Sequence, residues 1–135
     1  MKTRAAAERW ARTWAEGWTA QDVEAIAALQ AEGGDHYASL FRPYRGRDGM
    51  RDYLVECFDE ETGPAETWFA EPVVDGGTAA VEYWAVITTA TGPQTLSGCT
   101  VVRFDEQGLV AEAHDYSHAK DGRHEPPDIT WRWRS

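Results

Sequence analysis

The sequence predicts an α+β fold, with three N-terminal helices packed on one face of a curved, mainly antiparallel sheet of four to six strands. Two observations carry this. Helical periodicity runs through roughly the first 60 residues, and from about residue 66 it gives way to alternating, β-branched and aromatic stretches joined by short turns. Helices followed by a run of strands, in place of regular alternation, argue α+β and not a doubly wound sheet.

The first helix is expected over residues 5–17, where Trp10, Trp14 and Trp18 recur at i, i+4 and i+8 and so share one face. Such a stripe packs into a core, and Trp14 is also a candidate cavity wall. Thr19 and Asp22 resemble an N-cap arrangement for a second helix, DVEAIAALQAE, which Gly33-Gly34 is expected to stop. The aromatic, Pro- and Gly-containing DHYASLFRPYRGRDG reads as an irregular loop. GMRDYLVECFDEE, 49–61, reads as a third helix with Met50, Tyr53, Leu54, Cys57 and Phe58 inward.

TWFAEPVVDGG leads through Asp75-Gly76-Gly77 into TAAVEYWAVITTA, a hairpin signal. Thr91-Gly92-Pro93 turns into QTLSGCTVVRFDE, and Gln107-Gly108 into LVAEAHDYSH, which makes a meander of four strands. The tail, residues 119–135, is polar and then alternates Trp with Arg. Its pattern leaves open an added edge strand or an arm that contacts a partner.

A chain of 135 residues predicts one domain spanning 1–135, large enough for a core with a modest cavity. The net charge of −10 and the lack of a basic patch argue against nucleic-acid binding. Cys57 and Cys99 make no disulfide framework, and no apolar run marks a leader or a membrane span. A cytoplasmic protein with reduced thiols and no membrane partner is expected.

In order and spacing, WAEGWTAQDVEAIAAL, FRPYRGRDGMRDYL and VVRFDEQGLVAEAHDY resemble the SnoaL-like group of the nuclear transport factor 2-like superfamily. The resemblance covers residues of about 8–118. It implies a cone-shaped roll, a pocket between helices and sheet, and a homodimer through the sheet, with outward Glu82, Trp84 and Val86 helping to form the contact. It leaves the chemistry open, since this fold hosts isomerases, cyclases, epoxide hydrolases, dehydratases and non-catalytic binders. Set against ketosteroid isomerases, the catalytic Asp, oxyanion Tyr and protonated Asp fall at Tyr37 or Ala38, Trp14 and Thr100. That catalytic set is therefore missing. The Asp-Arg-Asp cluster of epoxide hydrolases is missing too, because the facing that the resemblance implies turns Arg103 outward, unless a loop arginine (Arg42 or Arg45) folds in.

The facing that the resemblance implies, carried along the strand by parity, puts Ala111, Ala113, Asp115 and Ser117 on the cavity face of the last strand, with small residues leaving room beside Asp115. A carboxylate there loses solvation, which raises its pKa toward a range useful for proton transfer. Asp115 is the first candidate for catalysis, and resembles the acid/base Asp of polyketide cyclases. His36 is the second candidate, beside Asp35 and Tyr37 in the stretch where the superfamily often keeps a catalytic group. The expected pocket residues are Trp14, Tyr37, Phe41, Tyr53, Phe58, Tyr83, Thr100, Val102, Ala113 and Ser117. His114 and His118 lie about 13 Å apart along a strand, too far to share one metal ion. No metal or organic cofactor is called for.

These residues point to a small-molecule pocket protein, with a cofactor-independent cyclase, isomerase or dehydratase acting on a carbonyl-bearing apolar metabolite as the leading reading. The alternative is a non-catalytic ligand-binding or dimerisation module. An adaptor reading would require an exposed apolar patch around Trp131 and Trp133.

Overall fold

The computed structural model describes residues 1–128 and 131–135. Helix α1 (Thr3–Ala20) leads into the short α2 (Val23–Ala27), then strands β1 (Gln30–Ser39) and β2 (Arg42–Arg45), and helix α3 (Gly46–Asp59). Strands β3 (Glu66–Ala70), β4 (Val73–Asp75), β5 (Thr78–Thr89), β6 (Gly92–Phe104), β7 (Val110–Asp121) and β8 (Trp131–Arg134) complete the chain. The helices pack on a curved, unclosed sheet in the order β2-β1-β7-β6-β5-β3-β8, with β4 paired to β5. The fold class is α+β as expected, but the sheet has eight strands among the described residues, where four to six were expected.

Helix α1 buries Ala6, Ala7, Trp10, Ala11 and Trp14 against the sheet. Asp22 caps α2 as its position suggests, accepting the Ala25 amide at 3.1 Å. The hairpin at Gly76-Gly77 forms with Asp75 opposite Thr78. Gly76 sits at φ 59°, the left-handed value that a two-residue turn of this kind requires.

Two expectations fail on long-range pairing, the second helix with its glycine stop and the loop after it. The second helix ends at Ala27, because the chain from Gln30 onward joins β7 in a parallel ladder. Gly34 serves that ladder and does not stop a helix: a Cβ there would collide with the Val110 carbonyl oxygen. The expected loop from Asp35 is largely the β1–β2 hairpin, in which Asp35 pairs with Arg45 in backbone register and by a 3.0 Å ion pair. In the tail, β8 pairs antiparallel with β3, so this part is an edge strand. Ile129 and Thr130 lie outside the described residues. Trp131 and Trp133 are each half-buried, and Trp133 packs against the core, so the two do not form a fully exposed patch.

The outer face of β5 differs from expectation. Val86 is 6% exposed, and the Trp84 indole donates to the His124 carbonyl at 3.1 Å. The chain's own C-terminal segment thus reaches Trp84, and of the three residues expected at a sheet contact only Glu82 stands exposed.

Candidate functional site

The inward residues of β5, β6 and β7 form rungs across the sheet. Ala79, Val102 and Ala113 make one, Val81, Thr100 and Asp115 the next, and Tyr83, Gly98 and Ser117 the third. Gly98 carries no side chain, and the Tyr83 hydroxyl occupies the space, 2.9 Å from where a Cβ would stand. Across that gap Tyr83 reaches Asp115 and donates to its two carboxylate oxygens at 2.9 and 3.0 Å. The Thr100 hydroxyl adds a third contact at 3.2 Å.

A cavity of about 210 Å³ opens over these rungs, between the sheet and helices α1 and α3. At roughly 10–15 Å³ per water by the same measure, it holds a dozen or more waters and so has room for a small organic molecule. The whole tryptophan stripe of α1 lines it, in successive contact at 5.9 and 6.2 Å between ring centroids. Tyr53 and Phe58 of α3 form the opposite wall.

His36 enters from β1. It is 3% exposed, stacks on Trp14 at 6.2 Å and lies 4.9 Å from the Tyr53 ring. Its Nε2 is buried with no hydrogen-bond partner among the described residues. Burial, reinforced by His114 nearby, lowers its pKa to about 4, so the imidazole is neutral at physiological pH.

Burial raises the Asp115 carboxyl above the ordinary aspartate value, against the opposing pull of the Tyr83 and Thr100 hydrogen bonds. Burial and the charge of Asp115 push the Tyr83 phenol strongly upward, which keeps it a donor. Desolvation thus dominates a site whose hydrogen bonds all favour the ionised carboxylate.

Of the expected residues, Asp115, His36, Trp14, Tyr53, Phe58, Tyr83, Thr100 and Ser117 line the cavity. Four do not. Tyr37 lies next to inward His36 on an alternating strand and therefore faces out, where it stacks on His114 at 4.6 Å and 2°. Phe41 sits at the tip of the β1–β2 turn and is 93% exposed. Val102 and Ala113 face inward but one rung too deep, packed at 0% and 1% exposure.

Glu61, just beyond α3, was not singled out from the sequence. It lines the cavity, and its Oε2 accepts the Trp18 indole N–H at 3.2 Å. Burial raises its carboxyl to about 7, the Trp18 hydrogen bond opposing. Its Oε1 is buried without a partner among the described residues. In FDEETG it reads as one of several surface acids, so no sequence signal marked it.

Helices on an open curved sheet, with a pocket between them, define the class of nuclear transport factor 2-like folds. The chain belongs to the SnoaL-like domain family, whose model matches residues 11–113. No curated protein matches it in sequence. Solved structures that share the fold at low identity include the following three. PrhC from Penicillium brasilianum is 20% identical, with a TM-score of 0.72 over 87% of this chain and 83% of its own. An NTF2-like protein of unknown function from Exiguobacterium is 14% identical, with a TM-score of 0.70 over 84% of this chain and 98% of its own. A hypothetical protein of ketosteroid isomerase-like fold from Catenulispora acidiphila, in complex with trimethylamine, is 17% identical. Its TM-score is 0.67, over 77% of this chain and 81% of its own.

Among the described residues no group of three or more His, Cys, Asp or Glu could hold a metal ion, and no helix is long and apolar enough to cross a membrane.

Proposed function

We propose that the protein is a small-molecule enzyme that moves a proton on a carbonyl compound, with Asp115 as the acid/base. One observation carries this reading: a desolvated carboxylate, oriented by Tyr83 and Thr100, at the floor of an aromatic cavity. Tyr83 and Thr100 are committed to Asp115, which leaves His36 to hold the carbonyl. Its neutral imidazole, as the Nε2–H tautomer, donates to the oxygen where charge develops.

In the step proposed, Asp115 takes a proton from the carbon next to the carbonyl. The C–H electron pair moves toward oxygen, and the enolate is held by His36. Return of the proton from Asp115 to another carbon gives isomerisation; attack of the enolate carbon on a second carbonyl, whose alkoxide takes that proton, gives ring closure; and loss of a β-hydroxyl, which leaves as water with that proton, gives dehydration. The family and the fold accommodate all three.

2-Indanone and 2-tetralone in deuterated buffer test the base. The protein is expected to accelerate deuterium uptake at the α-carbon, and Asp115→Asn to lose about 10²–10⁴ of that acceleration. Equal rates in both proteins would leave Asp115 a binding residue.

The second reading, a non-catalytic ligand pocket, draws on Tyr83 reaching both Asp115 oxygens, which occupies lone pairs that a base needs. It predicts ligand binding without exchange. A cytoplasmic setting and a homodimer through the sheet belong to the same proposal, and light scattering at tens of micromolar tests the dimer.

A further inference from the structure

We infer that the ligand of this cavity carries a protonated amine, held at the cavity mouth by Glu61 and the Trp18 ring, with its remainder lying between the tryptophans and Asp115. The inference rests on the reading of this cavity as the ligand site, and names the class of molecule it takes.

Charge is the first ground. Glu60, Glu61 and Asp115 line the cavity, and no Lys or Arg is among the lining residues described. His36, the one basic side chain there, is neutral. Both glutamates follow the C-terminal end of α3, a 14-residue helix whose dipole places partial negative charge at the same spot. An anionic ligand would find no compensating cation among the described lining residues.

Hydrogen bonding is the second ground. Oε2 of Glu61 accepts from Trp18, whereas Oε1 is buried with nothing donating to it, and His36 Nε2 is unpartnered deeper in the cavity. A neutral apolar ligand would leave Oε1 unsatisfied. An ammonium supplies both the missing donor and the opposite charge. The third ground is the wall itself: the Trp14 and Trp18 rings and Tyr83 stand in sequence beside Glu61, with Trp18 and Tyr83 at 6.0 Å between centroids. Aromatic faces backed by a carboxylate attract organic cations. Around Glu61 the other titratable neighbours are Glu60 and Cys57, whose thiol burial pushes up to about 11 and so keeps neutral.

Three probes of one shape test this: 2-phenylethylamine, 2-phenylethanol and 3-phenylpropanoate, followed by tryptophan fluorescence and calorimetry at about pH 8. The amine is expected to bind about tenfold more tightly than the alcohol, with the propanoate weakest. Glu61→Gln is expected to erase the preference for the amine and to leave the alcohol's affinity unchanged. Equal affinity for amine and alcohol overturns the inference and leaves the proton-transfer reading standing. A preference that survives Glu61→Gln but is lost in Asp115→Asn overturns the placement at Glu61. Silence from all three probes overturns both the amine and the cavity as ligand site.

Discussion

Along β5, β6 and β7 the inward face changes character between one rung and the next. Ala79, Val102 and Ala113 are packed at no more than 1% exposure. Two residues further along each strand, Val81 still belongs to the core, but Thr100 and Asp115 beside it are polar. In the next rung the Tyr83 hydroxyl fills the space that Gly98 leaves, and Tyr83 and Ser117 line the cavity together with Thr100 and Asp115. The same strand geometry therefore serves a dry core and a polar site. The difference lies in what fills the rungs: close-packed methyl groups at one end, and at the other buried polar groups whose partners are incomplete. A core satisfied by its own contacts contributes stability, whereas His36 and Glu61 keep unpartnered atoms that only water or a ligand can satisfy.

This contrast can be broken at either end. Ile26→Ala removes a side chain at 0% exposure from the packed region, away from the cavity. It is expected to cost about 2–5 kcal/mol in urea unfolding while leaving probe binding intact. A loss of both would mean that the two regions are one mechanical unit.

The cavity end is expected to show its own dependence on pH. The folded pKa of His36 is lowered to about 4 from 6.5, so between these values the unfolded chain binds more protons. Stability from His36 is then present above pH 6.5 and lost as pH falls toward 4, by about 3 kcal/mol at pH 4. Glu61 works in the opposite sense, since its raised pKa favours the folded state below about 7. Comparing unfolding of the wild type and His36→Gln from pH 7 to 4 isolates the first effect. Parallel curves would show that His36 is solvated.

The smallest effect expected is at Tyr83→Phe, which removes the donor shared by the Asp115 oxygens. A change of about 1–2 kcal/mol in stability is expected, and the Asp115 titration, followed by carboxyl-carbon NMR, should move further upward. An unmoved titration would show that Thr100 alone orients the carboxylate.

Local pattern determined a large share of this protein. The tryptophan stripe of α1, the Asp22 cap, the Gly76 turn and the β5–β6–β7 meander all follow from periodicity and turn chemistry. Strand parity grouped Asp115 and Tyr83 with the cavity face and Arg103 with the other, once the family resemblance had said which face is which. Tertiary structure decided the rest, for a common reason. QAEGGDHYAS has no strand alternation of its own and becomes β1 only because β7, far along the chain, offers it a backbone ladder. That pairing turns His36 in and Tyr37 out. Where the cavity stops along the sheet, which excludes Val102 and Ala113, depends on how α1 covers the strands. Glu61 became a site residue because folding brought the end of α3 against Trp18, 43 residues away in sequence. Periodicity states which face a side chain takes; what stands opposite that face is decided by contacts between distant segments, and the burial that shifts the His36, Glu61 and Asp115 carboxyl and imidazole equilibria exists only once those contacts have formed.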